Sequence, residues 1–161
     1  MRFENGNHQT EYMLADSLVE LSKLCNSPSD ISILRLAHKA NIHRNTFYYH
    51  FKDIEELIEY TLKRQYELLK GVLSTREEFL PAFFDRNYKL IRFARHELGT
   101  DKYLDFLRNL ILADVQSPSS TDAEEKKAAI LANLIVATTL AEDQPGKTII
   151  RLLEWYVGVR P

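Results

Sequence analysis

The sequence has a single cysteine, Cys25, among 161 residues. An internal disulfide is therefore excluded, and so is a zinc site built on several thiolates. Glycine and proline are scarce, five of each, and most of them fall between segments of helical period rather than inside them. No run approaches the roughly 18 uninterrupted apolar residues of a membrane-spanning helix. The opening residues Met1 to Gly6 lack the basic-then-apolar order of a secretory signal, so the protein is expected in the cytoplasm with no membrane partner. Net charge is small as well: 21 basic against 23 acidic side chains leave −2. That balance argues against indiscriminate binding to nucleic acid but allows a local cationic surface.

What is present is helical patterning. Breaks fall at residues 26–30, near 71–75, at Gly99-Thr100, at 117–121 and at 144–146. Between them apolar positions recur every three or four residues, first as Leu14, Leu18, Leu21 and Cys25, later as Ile54, Leu57, Ile58, Thr61, Leu62 and Leu69. Asp53 ahead of Ile54-Glu55-Glu56 predicts an N-cap followed by an acidic first turn. Ile31-Ser32-Ile33 alternates like a strand but is too short to compete with the helical run Ile33 to Ala40. The predicted fold class is all-α, without internal repeats.

The most informative absence is local. From Ile31 to Lys52 there is no Asp or Glu, whereas Arg35, Lys39, Arg44 and Lys52 supply positive charge and His38, His43 and His50 can add to it. Acids return at once with Asp53, Glu55, Glu56 and Glu59. The window reads as two helices joined by a tight turn. Ser32 caps the first, whose inward face is Ile33, Leu36, Ala37 and Ala40; the two alanines let a second helix cross closely. Asn41 suits the turn because asparagine tolerates the left-handed conformation, and Ile42 plugs the corner. The second helix runs from about His43 to Tyr49, anchored by Phe47 and Phe51, and leaves His43, Arg44, Asn45, Thr46 and Tyr49 facing solvent. Side chains of these types read base edges and phosphates when a helix-turn-helix enters a major groove.

The run from Ala40 to Asp53, with its Thr46-Phe47-Tyr48-Tyr49-His50-Phe51 core, Glu56-Leu57 after it and Ile33-Leu34-Arg35-Leu36-Ala37 before it, resembles the DNA-binding segment of TetR/AcrR-family transcriptional regulators. The likeness extends over residues 8–68. It implies an N-terminal three-helix helix-turn-helix DNA-binding domain over 8–68, with the motif at about 33–52, and a short C-terminal helical domain over 69–161 for dimerisation and effector binding. It further implies a homodimer that binds a palindromic operator in double-stranded DNA, acts as a repressor, and is released by a small-molecule effector. Carried over by position, Tyr48 and His50 contact phosphates, Ser32 and Thr46 contact phosphate at the groove edge, and His43, Arg44, Asn45 and Tyr49 face bases, with Lys52 in the same DNA-facing set. The sequence departs from the family in Asn41, where glycine is frequent, and in His43, where a small hydroxyl residue is common. Ile54 stands where a lysine often contacts the backbone; losing one such contact should lower affinity and reduce the salt-dependence slope by about 1. The chain is also short for the family.

Further along, Phe79, Phe83, Phe84, Tyr88, Phe93, Tyr103 and Phe106 are expected to be mostly core. Phe83, Phe84, Tyr88, Tyr103 and Phe106, with Arg92, are also the candidate lining of a cavity for an apolar or aromatic effector; Arg92, Arg95 and His96 could orient an anionic group or simply stand on the surface. Residues 128–141 are apolar or small almost all round, which predicts a helix covered on most sides. With Ile149, Ile150, Leu152, Leu153, Trp155, Tyr156 and Val157 they exceed what one short chain can cover, so the C-terminal helices are expected to pair two copies.

Other chemistries find little support. His38, His43 and His50 lack the spacing and companions of a metal shell. Pro145-Gly146-Lys147-Thr148 mimics the end of a phosphate loop, but Ala141 replaces the required glycine and no strand precedes it. Neither paired carboxylates nor a nucleophile with its base is evident, so no enzymatic activity and no cofactor are expected. The competing reading is a helix-turn-helix protein-interaction module that no longer reads an operator, which Ile54 and the net negative charge favour.

Overall fold

A computed structural model describes residues 4–73, 75–115, 121–141 and 146–158. Among the described residues the chain is all-helical: α1 (Glu4–Leu24), a 3-10 turn (Pro28–Asp30), α2 (Ile33–Lys39), α3 (Arg44–His50), α4 (Ile54–Val72), α5 (Arg76–Arg86), α6 (Tyr88–Leu98), α7 (Thr100–Val115), α8 (Asp122–Ala141) and α9 (Gly146–Gly158). The breaks expected at 26–30, near 71–75 and at Gly99 are joints between helices, and Gly99 takes a positive φ of 74°. Those expected at 117–120 and 144–145 lie outside the described residues. At the α5–α6 joint, where no break was expected, Asn87 separates the helices by donating both its backbone N–H and its side-chain amide to the Phe83 carbonyl, at 3.1 and 2.9 Å.

The structure divides into two compact units. The first takes in the described part of Met1–Gln65 together with Lys89–Leu98, the second Tyr66–Tyr88 with the described part of Gly99–Pro161. The chain changes unit after Gln65, after Tyr88 and after Leu98; the resemblance implied one domain boundary at 68/69. The α6 segment belongs with the first unit, in which Lys89 Nζ donates to the Lys23 carbonyl at the end of α1 at 2.7 Å.

In the first unit α1, α2 and α3 pack against one another. Leu14, Leu18, Leu36, Phe47, Leu57, Ile58 and Leu62 are fully buried there, with Ala37, Ala40 and Phe51 almost so. The turn between α2 and α3 follows from one residue. Asn41 has φ 54°, its N–H donates to the His38 carbonyl at 3.1 Å, and the Ile42 N–H reaches back to the Ala37 carbonyl at 2.9 Å. These two bonds make a Schellman end to α2 and satisfy carbonyls that the helix would otherwise leave open. Ser32 caps the other end, accepting from the Arg35 N–H at 3.3 Å. Ile31 and Ser32 are extended but form no strand.

The second unit is built around aromatics. Tyr66 packs edge-on against Phe79 and Phe83, and Phe83 against Phe84, while α5 packs on α9, α7 on α8 and α8 on α9. Buried Tyr103 donates its hydroxyl to Thr139 Oγ1 at 2.8 Å, and Thr139 passes a bond to the Val136 carbonyl at 2.7 Å. At the start of α9 the Gly146 N–H donates to Asp85 Oδ1 at 3.0 Å. Within the single chain residues 128–141 are covered on part of their surface. Leu131, Ala132, Ile135 and Val136 are buried, but Ile130, Leu134 and Leu140 are exposed to 51%, 39% and 41%. The side chains of Trp155, Tyr156 and Val157 lie outside those described.

Two substitutions test this account by chemical denaturation. Asn41→Ala should cost about 1 kcal/mol, because alanine resists the left-handed conformation, whereas Asn41→Gly should cost nothing; equal losses would contradict the turn. Tyr103→Phe should cost about 1 kcal/mol by removing one buried bond while Thr139 keeps its other partner, and an unchanged midpoint would contradict it.

Candidate nucleic-acid interface

Only seven residues long, α3 is too short to hold its shape alone and depends on its packed side. Phe47 is fully buried and Phe51, the residue after the helix, is 4% exposed. Phe47 meets Phe51 with ring centroids 5.9 Å apart, and Phe51 meets Tyr60 of α4 at 5.3 Å. With that side fixed, helical geometry turns Arg44, Asn45, Tyr48 and Tyr49 outward together, since they fall one and four residues apart. All four are exposed, Tyr49 to 86%.

The ends of α3 are set by polar contacts. His43 stands at the N-cap rather than inside the helix, and its Nδ1 accepts from the Asn45 N–H at 3.2 Å. That acceptor role requires the Nε2–H tautomer, which points the ring's donor away from the backbone. On the outward face Arg44 Nη2 donates to the Tyr48 hydroxyl at 3.1 Å, and the guanidinium lies 5.7 Å from the Tyr48 ring centroid. Past α3, Asp53 accepts from the Glu56 N–H at 2.9 Å and Glu56 accepts from the Lys52 N–H at 2.6 Å. The first bond caps α4 as expected for Asp53, and the Lys52 side chain is left 88% exposed.

The other predicted residues separate into groups. Ser32, exposed, is occupied as the cap of α2, and Thr46 is half-buried. His50 does not share the outward face: its side chain is only 8% exposed and its Nδ1 lies 3.7 Å from Glu11 Oε1 of α1. Glu11 also sits 3.2 Å from His8. Burial, with the Glu11 carboxylate adding to it, pushes the Tyr60 phenol above its ordinary value. No sequence pattern announces Glu11 as the partner of a histidine 39 positions later; only folding brings them together.

The cationic window is divided in the same way. Lys39 pairs with Glu20 of α1 at 2.7 Å, and its hydrogen bond and charge hold the Glu20 carboxyl below the usual carboxylate range. Arg35 donates to the Asp30 carbonyl at 2.9 Å. Both cations, though exposed, thus tie α2 to its neighbours, while Arg44 bonds within α3 and Lys52 lies 4.0 Å from Asp53.

The candidate effector residues are divided between the two units. Arg92 belongs to the first unit; Phe83, Phe84, Tyr88, Tyr103 and Phe106 belong to the second. Phe83, Phe84 and Tyr103 are buried core, and Tyr88 and Phe106 are half-buried. A groove of about 390 Å³ in the second unit is lined by α7 and α8 through residues such as Leu104, Arg108, Val136 and Leu140, and by none of those five.

No protein-family model and no curated protein matches the chain. Among solved structures it is similar to a candidate TetR-family transcriptional regulator from Mesorhizobium loti, with 13% identity, a TM-score of 0.46, and coverage of 95% of this chain and 97% of that one.

Proposed function

We propose that the protein is a sequence-specific DNA-binding transcriptional regulator of the TetR type, acting as a repressor and binding a palindromic operator as a homodimer. The observation that carries this reading is the outward face of α3, where Arg44, Asn45, Tyr48 and Tyr49 stand together on a helix whose opposite side is locked in the core. Arginine pairs bidentately with guanine, asparagine with adenine, and tyrosine supplies both an apolar ring for a thymine methyl and a hydroxyl for a phosphate. Ser32, His43, Thr46 and Lys52 flank that face as phosphate or edge contacts. His50 acts from behind, steadying the end of α3 through Glu11. The reading head lies within residues 8–68.

Pairing is assigned to residues 69–161. On α8, Ile130, Leu134 and Ala137 are exposed and follow a spacing of four and three residues, so they form one stripe. Ile150 of α9 is exposed to 42%. A two-fold pair of heads is what a palindromic site requires. Release by an effector then needs a ligand with different affinities for two arrangements of the dimer.

Selection of bound sequences from a random duplex library by the purified protein tests operator reading directly. Arg44→Ala should cost about 1–3 kcal/mol on the selected site and relax discrimination at one base position. Equal loss on random duplex would contradict base reading and favour the protein-interaction alternative. Leu134→Asp should shift the protein from dimer to monomer in sedimentation and weaken operator binding with it; a dimer of unchanged strength would remove α8 from the interface.

A further inference from the structure

Within the first unit, the end of α1 and the 3-10 turn meet α6 around a cleft of about 140 Å³. That is well below the roughly 300–1,000 Å³ of sites for drug-sized molecules, so an occupant must be small. Ile31 and Phe93, 7% and 2% exposed, are its apolar wall. Its polar groups are of one kind in charge: Lys89 and Arg92 line it and no carboxylate does. These two cations stand three residues apart on α6 and so share a face.

Among the described residues neither cation has a carboxylate partner. Among the described residues Arg92 has no hydrogen-bond or ion-pair partner. Lys89 uses one of its three N–H groups on the Lys23 carbonyl and keeps two. Near the end of α1 the Val19 carbonyl accepts from the Ser22 hydroxyl at 2.8 Å, that of Leu21 from the Cys25 N–H at 2.9 Å, and that of Lys23 from Lys89. Asp30, the nearest acid in the 3-10 turn, is folded back to accept from the Ser27 N–H at 3.2 Å. Asn26 adds an exposed amide at the rim, also without a partner among the described residues.

We propose that this cleft binds a small oxyanion, a phosphate or carboxylate group held by the Arg92 fork and the Lys89 ammonium, with Asn26 as a further donor. A guanidinium presents two parallel N–H groups to such a group, and the paired charge on one helix face is relieved by it. The site lies in the first unit. It is independent of operator reading, and either can fail without the other.

The cleft contains its own reporter, because Cys25 lines it and is the chain's single cysteine. The full-length protein is alkylated with iodoacetamide, an uncharged reagent, while inorganic phosphate or malonate is titrated at ionic strength held constant with sodium chloride. Titration calorimetry with the same two anions gives a readout that does not involve the thiol. The expected result is saturable slowing of alkylation, matched by saturable heat, at a concentration that rises by about tenfold or more in Arg92→Ala, with Arg92→Lys in between. Phosphate alone, malonate alone, or both would define which oxyanion the site takes. Slowing that does not saturate, that is the same in Arg92→Ala, or that sodium chloride reproduces would overturn the proposal, as would the absence of both slowing and heat.

Discussion

Burial of Phe47 and Phe51 fixes the rotation of α3, and that rotation decides which side chains the helix turns to solvent. Turning the helix by one residue would bring both rings out of the core at about 1.5–3 kcal/mol each. The polar contacts along α3, such as the Arg44–Tyr48 bond, are exposed and worth at most about 1 kcal/mol, so they follow the rotation and do not set it. The position of the helix along its axis is set separately by Asn41, whose left-handed conformation lets α2 end and the chain reverse within a few residues. Packing and turn together make the outward face a property of the core.

Much of this was legible in the sequence because it is local. The caps at Ser32 and Asp53, the left-handed Asn41, the inward set Leu36, Ala37 and Ala40, and the anchors Phe47 and Phe51 all depend on neighbours within a few positions, and each is found as expected. The burial of Phe79, Phe83, Phe84 and Tyr103 was legible for a different reason: large aromatics at helical spacing have few other places to go. The α5–α6 joint was not legible, since Asn87 makes it with side-chain bonds and no glycine or proline marks it. The grouping of α6 with the first unit, and the Glu11–His50 contact, depend on residues far apart in the chain. A one-sided pattern shows that a face is buried without naming what buries it. The even apolar content of residues 128–141 likewise does not tell which side, that of Ile130 and Leu134, the single chain leaves uncovered.

The acid-free window also divides in a way that counting charge could not reveal. Lys39 and Arg35 are used within the fold, against Glu20 and the Asp30 carbonyl, while Arg44 and Lys52 face out. A patch read as uniformly cationic is thus half structural. Its outward part is modest in charge and rich in hydrogen-bonding and aromatic groups.

Arg44 and Tyr48 rest on each other when the protein is alone. Any partner that engages the guanidinium must first draw it off the phenol, and any change at Tyr48 also frees Arg44 to sample other rotamers. The two positions therefore vary as one unit: a double-mutant cycle across them would not be additive, and what one position can become is constrained by what occupies the other.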